Sequence, residues 1–146
     1  MKLWRSCSKY WASTAGSALT VAQVVLWILW GFGDGTWLAY AGLALWWTGV
    51  VFAWVPIFQL KRRGGVTAGR QYVHTTVLVD TGIYAIVRHP QFLSWPMFSV
   101  ALMLMVQRWA VVALGVASMA LVLRDFRDAD ADGIEKFGDA YRDYMR

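Results

Sequence analysis

Phe92-Leu-Ser-Trp-Pro-Met-Phe-Ser-Val-Ala-Leu-Met-Leu-Met-Val-Gln-Arg-Trp-Ala-Val-Val-Ala-Leu-Gly-Val-Ala-Ser-Met-Ala-Leu-Val-Leu123 is apolar for 32 residues, interrupted only by Gln107-Arg108. A straight helix of that length would measure about 48 Å at ~1.5 Å per residue. The hydrocarbon core of a bilayer is only about 30 Å thick. Two short helices, 92–106 and 109–123, turning at Gln107-Arg108 fit better than one long helix. A single tilted helix is the alternative.

The same reading extends towards the N-terminus. Residues 37–60 form a run of 24 without a charge, closed by Lys61-Arg-Arg63. Gly42 and Gly49, two turns apart, offer a flat strip for close helix packing. Pro56 is expected to kink this helix near its inner end. Residues 15–32 are a further 18 uncharged positions, with Ser17, Thr20 and Gln23 sharing roughly one face turned to other helices. Gly31-Phe-Gly-Asp-Gly-Thr36 reads as a tight turn between the two. The expected fold is therefore all-α: a polytopic membrane helix bundle of about four transmembrane helices in one domain, 1–146. A polar site loop, 61–91, and a C-terminal amphipathic helix, 124–146, complete it.

Charge placement gives the expected topology. Of the 14 Lys and Arg, all but Arg108 fall in the N-terminal flank, the long loop or the C-terminal tail. That is a positive-inside pattern with both termini cytosolic. The same placement accounts for the net charge of +5 without nucleic acid. Cys7 is the sole cysteine, which rules out an intrachain disulfide or a thiolate cluster. Size and the lack of a targeting signal lead to the expectation of a prokaryotic plasma membrane.

The polar loop ends in Asp80-Thr-Gly-Ile-Tyr-Ala-Ile-Val-Arg-His-Pro-Gln-Phe-Leu93. Pro90 suits the first position of a helix. It sets Arg88 and His89 at the mouth of a membrane segment, beside backbone N–H groups that favour an anion. Past Arg124, Ile134, Phe137, Tyr141 and Tyr144 give the acidic tail one aromatic face. That face either lies on the bundle and lipid headgroups or closes over the Arg88-His89 hinge. Asp128-Ala-Asp-Ala-Asp-Gly133 matches the first half of a calcium loop, yet Glu135 and Asp139 break the rest of the pattern. A solvated acidic helix start accounts for it better. His74 and His89 lack a third metal ligand, and no GxGxxG fingerprint occurs.

Thr81-Gly-Ile-Tyr-Ala-Ile-Val-Arg-His-Pro90, followed by paired membrane helices and Phe137-Gly-Asp-Ala-Tyr-Arg-Asp-Tyr144, resembles the isoprenylcysteine carboxyl methyltransferase family. The resemblance covers about the last half of the chain, and the wider family includes phospholipid methyltransferases. It implies an integral-membrane methyltransferase using S-adenosylmethionine on a lipid-like or small apolar acceptor, whether a prenylcysteine-type carboxylate, an amine or a thiol. The implied cofactor pocket is cytosolic, shared between hinge and tail. By position it takes Tyr84, Arg88, His89, Pro90, Tyr141 and Tyr144, with Arg88 and His89 as catalytic candidates. Where the family has a Glu-Glu pair this chain has Ala129 and Asp130, leaving Asp130 as the candidate partner of the cofactor's ammonium, with Asp128 as the alternative for the other carboxylate. Phe92 replaces a usual Tyr, Ser94 a usual Gly, and His74 is offset from the usual His. Two other classes stand beside this one. A sterol-type reductase using NADPH also carries Arg-His-Pro, and the altered acidic pair suits a non-catalytic membrane scaffold.

Overall fold

The computed structural model describes residues 11–67, 69, 70 and 74–146. The expected cytosolic flank, Met1–Tyr10 with Cys7, lies outside them. The described residues form helices and no strand: α1 (Trp11–Trp30), α2 (Thr36–Arg63), α3 (Pro90–Val106), α4 (Trp109–Arg124), α5 (Phe126–Phe137) and α6 (Asp139–Tyr144). A 3-10 turn at Gly82–Ala85 precedes α3. Trp11–Trp30, Thr36–Arg63 and the helical stretch Trp109–Phe137 are long and apolar enough to cross a membrane, and Pro90–Val106 is a shorter apolar helix of 17 residues. The protein is an all-α membrane bundle.

α3 is the hub, packing on α2, α1 and α4, while α1 also pairs with α4. Small and hydroxylated side chains make these approaches possible, because lipid tails offer no hydrophobic force to drive apolar helices together. α1 turns Ala12, Gly16, Thr20 and Gln23 inward, spaced four, four and three. α4 answers with Val111, Gly115, Ser118 and Val122. Thr20 Oγ1 lies 2.8 Å from the hydroxyls of both Ser99 and Ser118. Ser118 donates to the Gly16 carbonyl at 2.7 Å, and Gln23 Nε2 donates to the Val111 carbonyl at 2.8 Å. On α2, a Cβ at Gly42 would fall 2.7 Å from the Ala101 carbonyl, and one at Gly49 would fall 2.9 Å from the Phe98 ring. The glycine strip is thus the seat of α3. An apolar centre of Leu102, Met105, Val106 and Val111 fills the half nearer the α3–α4 turn.

That turn falls at Gln107-Arg108. Gln107 is left-handed at φ 56°, a conformation with a steric cost for any residue but glycine. Its side chain compensates by clamping the α1–α2 loop. Oε1 accepts the Gly35 N–H at 3.0 Å, and Nε2 donates to the Gly35 and Leu104 carbonyls at 2.9 and 3.1 Å. Arg108 lies over the Trp30 ring at this end, as Arg124 lies over Trp11 at the other.

Several boundaries differ from the sequence expectation. α1 begins before Ala15 and stops at Trp30, because Gly31 turns left-handed at φ 70°. α2 carries its helix through Pro56 and on through the three basic residues to Arg63. α3 starts at Pro90 rather than Phe92. The tail is not one helix: Gly138, at φ 61°, divides α5 from α6.

Candidate functional site

The end of α2 builds the first wall. Gln59 Nε2 donates to the Thr81 carbonyl, and Gln59 Oε1 accepts the Ile83 N–H at 3.3 Å. Arg63 donates to the Thr81 hydroxyl at 2.9 Å. Gly82 must be glycine here, since its φ is 62° and a Cβ would meet Gln59 Nε2 at 2.5 Å. The turn buries Ile83 and delivers the chain to His89, the residue before α3. His89 is held out of helical geometry at φ −124° and ψ 64°, as a residue preceding proline prefers.

The C-terminal helices build the second wall. α5 sets Phe126 and Asp130 one turn apart on a common face. The reversal at Gly138 brings α6 back so that the Tyr141 ring seats against Gly133. A Cβ at Gly133 would lie 2.4 Å from that ring. Tyr144 donates a hydrogen bond to the Tyr84 carbonyl, joining tail to hinge.

A four-residue polar network closes the junction. His89 Nε2 is 2.6 Å from Asp130 Oδ1. A carboxylate only accepts, so Nε2 carries the proton and donates it. Tyr141 also donates to Asp130 Oδ1 at 3.1 Å, and Arg88 is 3.5 Å from Oδ2. Burial pushes the Asp130 carboxyl up, but His89, the Tyr141 hydroxyl and Arg88 together outweigh it and hold the group below the usual range. Burial, then the neighbouring Asp130 carboxylate, raises the Tyr141 phenol well above its ordinary value. Tyr144 is raised by burial as well. The His89 ring stands edge-on to Phe92 and Phe126, with centroids 6.0 and 5.9 Å away.

Beneath the network lies a cavity of about 170 Å³, lined by Tyr84, Arg88, His89, Tyr141 and Tyr144 together with Leu60, Thr75, Val77, Leu78, Val79, Ala129, Gly133 and Phe137. The hinge and tail residues singled out in the sequence therefore meet. Two of the candidates do not line it. Pro90 is buried under the hinge as the first residue of α3 and aims His89 instead. Asp130 points at His89, while Ala129, its neighbour in the altered acidic pair, faces the cavity. The Asp128–Gly133 run is helical, and Gly133 serves the Tyr141 ring. Phe126, Gly133 and Thr75 were missed in the sequence. Phe126 had a signal, its four-residue spacing from Asp130; an interior helical glycine also calls for a packing reason.

A second hollow, of about 350 Å³, opens across Phe92 between α1, α2 and α3. Ser13, Ser17, Gln91 and Ser94 give it polar points, and Trp95 and Phe98 give it an apolar wall. The first cavity offers a cation and aromatic faces, the second a mainly apolar groove. Arg88 suits an anionic group of a ligand, the aromatic rings a flat or cationic one, and the groove an apolar chain.

Residues 43–130 match the model of the isoprenylcysteine carboxyl methyltransferase family. The protein-S-isoprenylcysteine O-methyltransferase of Dictyostelium discoideum is 27% identical over 139 residues, covering 88% of this chain and 56% of that protein. Proteins of the same name from Rattus norvegicus and Mus musculus are each 31% identical over 123 residues, covering 76% of this chain. The chain spans 39% of the rat protein and 40% of the mouse protein, so these curated relatives are considerably longer. No solved structure matches.

Proposed function

Because the chain belongs to the isoprenylcysteine carboxyl methyltransferase family, we propose that it is an integral-membrane methyltransferase using S-adenosylmethionine on a lipid-like acceptor of the prenylcysteine type. One observation carries this reading: the Arg88-His89 hinge and the Tyr141–Tyr144 tail close on a single cavity. The named activity of the three relatives supports it.

S-adenosylmethionine, when bound, supplies an electrophilic methyl group on a sulfonium. The residues present fit its carboxylate and its sulfonium, while Asp130, the expected partner of its ammonium, is turned to His89. Arg88, with its side chain 43% exposed, has guanidinium donors free for a carboxylate by a charge-assisted pair. The rings of Tyr84, Tyr141 and Tyr144 give aromatic faces that tolerate a cation. Asp130 acts one step back, fixing the His89 ring through Nε2. The cavity volume of about 170 Å³ is below the roughly 300–1,000 Å³ of small-molecule pockets. The cavity is open on one side, so its lining residues hold one part of the molecule and the rest extends past them.

The acceptor's apolar chain lies in the groove along Trp95 and Phe98, with its reacting end reaching His89 past Phe92. A carboxylate acceptor needs no general base, so His89 binds and orients rather than deprotonates. Rate then comes from alignment of the two reactants.

Binding of S-adenosylmethionine and NADPH, measured side by side on detergent-purified protein, tests the class. Saturable S-adenosylmethionine binding, weakened at least tenfold by Arg88→Ala, is expected. Binding of NADPH instead moves the chain to the reductases, and binding of neither favours a non-catalytic scaffold. Transfer of labelled methyl to an S-farnesylated cysteine, set against phosphatidylethanolamine, then identifies the acceptor.

A further inference from the structure

We propose that the inner end of α2 and the Thr81-Gly82 turn form a binding site for one anionic phospholipid of the surrounding bilayer. An open cleft of about 250 Å³ is lined by Val55, Phe58, Gln59, Arg62, Arg63 and Gly82. Val55, Phe58 and Arg62 are spaced three and four along α2, so they share one face. Val55 and Phe58 are 41% and 57% exposed and form an apolar floor at membrane depth. Arg62 and Arg63 stand above that floor, where the apolar run ends and headgroups begin. The order along the axis, apolar then doubly cationic, is complementary to a phospholipid, acyl chain then phosphate.

The cleft is built rather than incidental. Gln59 is tied to both the Thr81 carbonyl and the Ile83 N–H, which fixes the wall between the arginines and the turn. Arg63 uses one of its five donors on the Thr81 hydroxyl and keeps the others for an anion. Among the described residues, Arg62 and Arg63 form no ion pair with any carboxylate. A positive-inside bias explains basic residues at a helix end. It does not explain two arginines set over exposed apolar side chains in one hollow. A basic pocket at the interface is a recognised form of anionic-lipid site. The bound lipid would brace the turn from which Tyr84 and Arg88 extend, although the site itself does not depend on the methyltransferase reading.

Native mass spectrometry of the full chain, released from nanodiscs with equal phosphatidylglycerol and phosphatidylcholine, tests the site. One retained phosphatidylglycerol per chain is expected. The double variant Arg62→Gln/Arg63→Gln should lower the preference about thirty-fold, and Lys61→Gln, a neighbour outside the cleft, far less. If the double variant does not fold, judged by helical circular dichroism, Arg62→Gln alone carries the test with an expected fall of about five-fold. Undiminished preference in these variants overturns the proposal. So does an equal fall in Lys61→Gln, which would mean a diffuse surface field. Displacement of the lipid by millimolar inorganic phosphate would show recognition of a bare anion and would also overturn it.

Discussion

Asp130 holds His89 at 2.6 Å and takes a second hydrogen bond from Tyr141, so one carboxylate fixes the geometry of both walls of the cavity. Asp130→Asn keeps the shape and removes the charge. It should weaken S-adenosylmethionine binding about tenfold, the low end for a charged hydrogen bond because the site is partly exposed. Isothermal titration against wild type would check this. The pH dependence follows from the same group. Its carboxyl is held below the ordinary 3.8 in the folded protein, so its stabilising effect is complete above that value. The effect is lost as pH falls through the lower folded value. The amide protection factors of residues 139–144, exchange rates corrected for the intrinsic pH dependence, should therefore stay flat from neutral pH down to about 4 and fall below it. Gly133→Ala places a methyl group inside the Tyr141 ring. The tail should then dock about 1–3 kcal/mol less well, read as faster exchange in α6 with α1–α4 unchanged.

At the scale of elements, the α3–α4 turn is stabilised by a side chain rather than by a favourable backbone. Gln107 contributes a pair of hydrogen bonds to Gly35 in spite of its left-handed φ of 56°. Gln107→Ala keeps the strain and deletes the clamp, and should lower stability in detergent by about 1–3 kcal/mol. Gln107→Gly also deletes the clamp but relieves the strain, so it should cost less. Thermal unfolding of both variants would rank them. The reversal at Gly138 is the other decisive joint. A continuous helix would carry Tyr141 and Tyr144 away from the hinge, whereas the break at φ 61° returns them to it.

At the scale of the whole molecule, α1–α4 put Arg108 at one end of the bundle and Arg63, Arg88 and Arg124 at the other. A single cysteine placed at Arg108, in a Cys7→Ser background, should be labelled by an impermeant maleimide from outside intact cells. One placed at Arg146 should be labelled only after permeabilisation. Labelling of both from one side would refute the proposed topology.

Much of this was legible because the bilayer imposes lengths and charge placements that act on the linear chain. The apolar runs, the interruption at Gln107-Arg108, the Gly42 and Gly49 strip and the asymmetry of Lys and Arg all have local physical meanings. The Arg88-His89-Pro90 hinge and the aromatic spacing of the tail also showed which two segments held candidate residues. The sequence could not tell whether the tail closes on the hinge or lies on the membrane. Tertiary structure decided that through the left-handed Gly138, the room Gly133 leaves for Tyr141, and Phe126 against His89. It also decided that Asp130 faces His89 while Ala129 faces the cavity. Adjacent helical residues point about 100° apart, and only the docked position of α5 determines which of them meets the site.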